Sequence, residues 1–349
     1  MGTKLQQYFP MIQTKDKILK QIESSKRMSD MFRGWTEEQQ EEFLNCCSGA
    51  KGFKLLYDSF FKEIFSPEYD PKPLEAFLSC IVGRKVKILS VLPNDSTRIA
   101  DESTLLLTDI VVELEDGSIA NVEMQKIGYK FPGERAACYS ADLLLRQYKR
   151  VRNEKKKAFS YKDIKAVYTI VLFETSPEIF HGYAEDYLHL FEQKSNTGIE
   201  IELLQKYMFI PLDLFRRKIH NKGIESDLEA WLTFLTVDEP EIIIELIERY
   251  PEFKPLYEII YNMCKSMEGV MQMFSEELRI LDRNTVQLMI DEMQDEIKAK
   301  RAELNTITTE LNTATTELNA TTAELNAQKE INLAQKREIE ELKKQLAQI

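Results

Sequence analysis

Two carboxylates and an amide, Asp109, Glu123 and Gln125, interrupt β-prone apolar runs of this 349-residue chain. Alternate residues of a strand share a face, so Asp109, Val111 and Glu113 point one way and Ile110, Val112 and Leu114 the other. On a return strand Asn121, Glu123 and Gln125 share a face. Between the two lies Glu115-Asp116-Gly117-Ser118, a hairpin turn signal. A three-residue loop of Glu115, Asp116 and left-handed Gly117 pairs Asp109 with Glu123, whereas a two-residue Asp116-Gly117 turn sets them on opposite faces. In the first register two carboxylates meet, and a hard divalent cation relieves their repulsion. Mg²⁺ binds one or two carboxylates and fills its octahedron with water and phosphate oxygens; Mn²⁺ is the alternative ion. Such a cation polarises a phosphate and lowers the pKa of bound water, which is the chemistry of phosphodiester hydrolysis. Gln125 can orient that water or the phosphate but brings neither a base nor a charge. The plainer alternative is two strand-surface carboxylates and a sheet-surface amide. Against it, Asp is disfavoured in strands, and Asp109 sits in an apolar run where an unpaired carboxylate is costly.

The elements that position these residues follow from pattern. Residues 1–50 are a polar, helix-prone leader in which Thr36 and Gln39 form a capping box. Phe53–Phe65 and Leu74–Val82 read as helices, and Val86–Leu92, Leu105–Leu114 and Ile119–Lys126 as strands. A long helix covers Gly133–Arg152, Ala166–Phe173 is a buried central strand, and Ile199–Leu212 is hairpin-like. Residues 51–212 therefore form a mixed α/β core of order αβββαβ. Residues 213–297 are helical, with Trp231, Leu232, Phe234 and Leu235 as one apolar stripe.

Residues 298–349 are a tail built on the heptads ELNTITT, ELNTATT, ELNATTA and ELNAQKE. Leu304, Leu311, Leu318 and Leu325 take one seam position, and Ile307, Ala314, Thr321 and Gln328 take the other. This is either a self-associating coiled coil over 303–349 or a solvated helix grown by repeat slippage.

The Asp109…Glu123-x-Gln125 pattern, with YDSFFKEIF upstream and GERAACYSADLLLRQY downstream, resembles the Rpn family of PD-(D/E)XK nucleases and transposases. Over residues 50–290 the resemblance implies a restriction-endonuclease-like core, Mg²⁺-dependent DNA cleavage, and a role in recombination or transposition. It makes Asp109 and Glu123 metal ligands and sets Gln125 where most relatives carry a catalytic Lys. Asp58, Phe61 and Lys62 match the family's opening motif, and Arg135 and Tyr139 its helix after the hairpin. Lys126 is adjacent to Gln125 but faces the other way, so it does not replace the missing Lys.

Other signals are weaker. RQYKRVRNEKKK at 146–157 opposes seven basic residues to Glu154 alone, and Arg146, Lys149, Arg150 and Arg152 are candidates for DNA backbone contacts, as is Arg135. The alternative is a solvated helix end. Asp58 and Lys62 have the spacing of a helical ion pair. Glu75 has nothing local to recommend it as a ligand, and His181, His189 and His220 read as structural. The net charge of −12 argues against a general nucleic-acid binder. Five scattered cysteines, with no CxxC pair and no Cys/His ligand spacing, argue against a zinc site and fit a reducing cytoplasm. No run is apolar enough to span a membrane. The expected function is a cytoplasmic DNA endonuclease; the alternative is an inactive nuclease fold that binds DNA or protein through its coiled coil.

Overall fold

The structure, a computed structural model, describes residues 2–56, 58–92, 110–127 and 132–346. Asp109 and the strand residues expected from Leu105 lie outside them. In chain order the elements are α1 (Lys4–Tyr8), α2 (Lys15–Glu23), α3 (Lys26–Arg33), α4 (Glu37–Cys47), α5 (Asp58–Ile64), α6 (Lys72–Val82), β1 (Ile88–Val91), β2 (Ile110–Leu114) and β3 (Ile119–Ile127). They continue with α7 (Pro132–Lys155), β4 (Val167–Thr175), β5 (His189–Phe191), β6 (Gln205–Pro211), α8 (Leu212–Lys222), α9 (Asp227–Thr236), α10 (Pro240–Arg249), α11 (Phe253–Met263) and α12 (Met267–Leu346). The strands form one mixed sheet of order β1-β2-β3-β4-β6-β5. Strand β4 lies parallel between β3 and β6, while β1–β2, β2–β3 and β5–β6 pair antiparallel.

The β2–β3 register comes from its turn. Gly117 sits at φ +83°, a left-handed conformation that costs a residue with a Cβ but not glycine. Its N–H donates to Leu114 O, and Leu114 N–H donates to Ser118 O, both at 2.8 Å. The loop is therefore the odd-length one, and Ile110 pairs with Val122, Val111 with Asn121, and Val112 with Ala120.

Each face of the sheet is covered. On one, Val112, Val122, Ile170, Leu172 and Ile210 join a large core with Leu5, Phe9 and Phe43 of the N-terminal helices. The same core takes in Phe61 and Phe77, and Trp231, Leu232, Phe234 and Leu235 of α9. Burying each such side chain contributes about 1.5–3 kcal/mol. On the other face α7 lies over the sheet, with Leu143 against Val111, Ile119 and Val167, and Ala136 against Val171, Phe173 and Phe209.

The Thr36–Gln39 capping box forms at the start of α4. Two expected elements differ. The helix expected from Phe53 begins at Asp58, because Gly52 is drawn against the helical layer: its N–H bonds Asp238 O at 2.6 Å, and a Cβ there would lie 2.3 Å from Ile243 Cδ1. Within Ile199–Leu212 only Gln205–Pro211 is a strand. Its edges are taken by β4 and β5, so the alternating Ile199, Ile201 and Leu203 find no ladder and stay exposed.

The chain divides into two compact units, Met1–Thr285 and Val286–Ile349. In the second, Leu304, Leu311, Leu318 and Leu325 are all more than half exposed. Threonine hydroxyls in the repeats, among them Thr306, Thr308, Thr315 and Thr321, donate to the carbonyl four residues back. Among the described residues no helix is long and apolar enough to cross a membrane.

Gln147 straps α7 to the hairpin. Its buried side chain donates to Gly117 O at 3.1 Å and accepts from Lys165 N at 2.8 Å, just ahead of β4. Removing it breaks two hydrogen bonds to partly exposed backbone groups, each worth about 0.5–1.5 kcal/mol net, so Gln147→Ala should cost about 1–3 kcal/mol in urea unfolding. Gly117→Ala should cost about 1–2 kcal/mol from the left-handed turn alone.

Candidate active site

Strand β3 aims Asn121, Glu123 and Gln125 at α7, as their alternation requires. All three are buried, Glu123 to 3% exposure. Glu123 Oε1 accepts from Gln125 Nε2 at 3.0 Å and from Arg135 Nε at 3.2 Å. Arg135, on the first turns of α7, lies with its guanidinium carbon 5.1 Å from the Tyr139 ring centre. Glu123 Oε2, Gln125 Oε1 and both amide atoms of Asn121 have no hydrogen-bond partner among the described residues. Buried polar atoms are nearly always paired, and these four lie in a row on one strand.

Burial holds the Glu123 carboxyl above the usual carboxylate range, opposed by the Arg135 charge and by hydrogen bonds from Gln125, Arg135 and Tyr139. The free atoms Glu123 Oε2 and Gln125 Oε1 are hard oxygen donors, the type that suits Mg²⁺ or Mn²⁺ rather than zinc. Among the described residues no three His, Cys, Asp or Glu side chains cluster as a complete metal site. Asp109, the second expected ligand, lies outside those residues.

The remaining candidates fall in several places. Lys126 faces the large core and pairs with buried Glu277 of α12, on the opposite side of β3 from Gln125. Glu75 ties α6 to β1, accepting from Lys87 Nζ at 2.8 Å and from Ile88 N at 3.0 Å. Lys62 is exposed on α5, and the Asp58 side chain lies outside the described residues. Three of the basic residues of α7 have partners inside the fold: Arg146 with Asp142 and Arg150 with Glu113, each at 2.6 Å, and Arg152 with the Tyr148 hydroxyl. Lys149 is exposed. His181 and His220 sit 3.5 Å from Asp213 and Glu239. His189 is the first residue of β5 and packs on Phe180. Sequence reasoning did not single out Asn121 as a site residue, nor the Arg135–Glu123 pair. The signal for Asn121 was its place two residues before Glu123 on an apolar strand; nothing local signalled the pair.

A family model described as PD-(D/E)XK nuclease family transposase matches residues 55–289, which hold the β2–β3 hairpin, Glu123, Gln125 and all of α7. The chain belongs to this family. No curated protein and no solved structure matches it. In this PD-(D/E)XK protein, Gln125 occupies the position two residues after the hairpin Glu, and its amide is spent on Glu123.

The raised carboxyl of Glu123 has a consequence for stability without metal. Ionising it in the fold is penalised by burial, so stability falls as pH rises above the unfolded glutamate pKa of about 4.3. In EDTA, Glu123→Gln should therefore raise Tm at pH 8, by about 2–4 °C for each kcal/mol relieved. The gain should vanish near pH 4. A variant less stable than wild type at pH 8 would mean that the Arg135 pair outweighs burial.

Proposed function

We propose that this protein is a divalent-cation-dependent DNA endonuclease whose centre is Glu123, Gln125 and Asp109. The observation that carries this reading is Glu123: a buried carboxylate of a PD-(D/E)XK family member with one oxygen bonded to Gln125 and Arg135 and the other unpaired. Glu123 and Asp109 would hold the cation, Mg²⁺ or Mn²⁺, with Gln125 Oε1 beside them. When bound, the cation supplies a Lewis acid for the scissile phosphate and acidifies a water as nucleophile. Gln125 fixes Glu123 by its amide and leaves its carbonyl oxygen to orient water; it takes up no proton. Arg135 balances the Glu123 charge and, being on the partly exposed start of α7, can pass to a DNA phosphate as the cation replaces it. The finer readings belong to the same proposal: a restriction-endonuclease-like αβββαβ core with a helical subdomain, action in recombination or transposition, a reducing cytoplasm, and self-association through 303–349.

The test is plasmid cleavage with Mg²⁺. Asp109→Ala and Glu123→Ala should each lower the rate by about 10²-fold or more, on the scale of losing a preorganised transition-state stabiliser. Gln125→Ala should slow cutting while leaving the Mg²⁺-induced rise in Tm, which Glu123→Ala removes. Failure of wild type to cut plasmid or single-stranded DNA with either ion would favour the second reading, a nuclease fold serving as an interaction module. The exposed leucine seam of the tail is the observation behind it.

A further inference from the structure

The end of α7 holds a concentration of charge that the candidate centre does not use. Residues 149–165 carry Lys149, Arg150, Arg152, Lys155, Lys156, Lys157, Lys162 and Lys165 against only Glu154 and Asp163, in a chain of net charge −12. Two of the cations are spent, Arg150 on Glu113 and Lys155 on Asp163 at 2.6 Å. Lys149, Lys156, Lys157 and Lys162 are exposed and form no ion pair among the described residues. Lys156 takes φ +47°, a left-handed conformation unusual for a residue with a side chain.

Among these lysines stands an aromatic cluster. Tyr161 is 76% exposed, with its ring parallel to that of Tyr148 within 11° at 6.1 Å and edge-on to Phe159 at 5.4 Å. Arg152 lies 5.6 Å from the Tyr148 ring centre and bonds its hydroxyl. The cluster holds an exposed ring in a fixed orientation within a basic surface. The outward residues of α7 between this cluster and Arg135, namely Ala137, Cys138, Ala141 and Leu145, carry no charge to repel a polyanion.

We infer that this surface is a binding platform for an unpaired DNA strand, with a base stacked on Tyr161 and phosphates on Lys156, Lys157 and Lys162. An exposed aromatic ring among lysines is the combination that holds single strands irrespective of sequence, since every base has a π face. A duplex would use the lysines but offers Tyr161 no free base. The inference rests on the nuclease reading for its ligand, DNA. By helix geometry the twenty residues from Arg135 to Lys155 span about 30 Å, so the platform engages DNA well away from the scissile phosphate.

The test is fluorescence anisotropy of the full chain in EDTA with an oligothymidylate and with a duplex. Cleavage is silent in EDTA, so failure of the platform is separable from failure of the nuclease reading. Tyr161→Ala should weaken oligothymidylate binding by about 5- to 150-fold and leave duplex binding unchanged, while Tyr161→Phe retains wild-type affinity. Lys156→Gln with Lys157→Gln should lower the slope of log K against log salt for the single strand by about 1.4. Oligothymidylate binding unaffected by Tyr161→Ala, or absent in wild type, would overturn the platform even if plasmid cleavage is intact.

Discussion

The left-handed turn at Gly117 fixes the register on which the site depends. It makes the β2–β3 loop odd in length, and the odd length sends Asn121, Glu123 and Gln125 under α7 while Val122 and Lys126 go to the large core. A slip of one residue would exchange those faces, drive the Glu123 carboxylate among apolar side chains and expose Val122 beneath α7. Gln147 holds the turn from above through Gly117 O and reaches the chain entering β4 through Lys165 N. One buried amide thus ties together the hairpin, the helix that covers it and the lead-in to the central strand.

Both faces of the sheet bury polar groups as well as apolar ones. On the large-core side the charged group Lys126 meets Glu277, a buried pair that is matched inside the fold. Beneath α7, polar atoms of Asn121, Glu123, Gln125 and Thr169 have no partner among the described residues, and on the large-core side neither do the hydroxyls of Thr233, Tyr257 and Tyr261. Leaving buried polar atoms unpaired costs stability, and large apolar burial offsets that cost.

Much of this was legible in the chain. The hairpin, the polar face of β3, the central strand β4 and the long helix α7 all follow from alternation, one glycine and an apolar run, while the choice between an odd and an even loop was open until the turn at Gly117 was seen. Lys126 was rightly assigned to the opposite face from Gln125 by the same alternation. Less legible were the partners of residues whose fate is decided by distant ones. Ile199–Leu203 alternates like a strand but cannot pair with β6, whose two sides are taken by β4 and β5. Arg150 belongs to a basic run by sequence and to Glu113 in space. Arg135, a candidate phosphate contact by sequence, pairs with Glu123 in space. The first turns of the helix expected from Phe53 give way because Gly52 is pulled toward Asp238. Asp109, half of the expected ligand pair, lies outside the described residues, so the site was read from its Glu123 half.

The tail repeats have a genetic consequence. Each unit of seven residues is encoded by twenty-one nucleotides, a multiple of three, so replication slippage that gains or loses one unit keeps the reading frame. It also keeps every leucine of the stripe on its line, because the stripe recurs every seven residues. Such an event changes the helix by about 10 Å without touching a residue of the first compact unit. The length of the tail can therefore change by whole heptads with the rest of the chain left as it is.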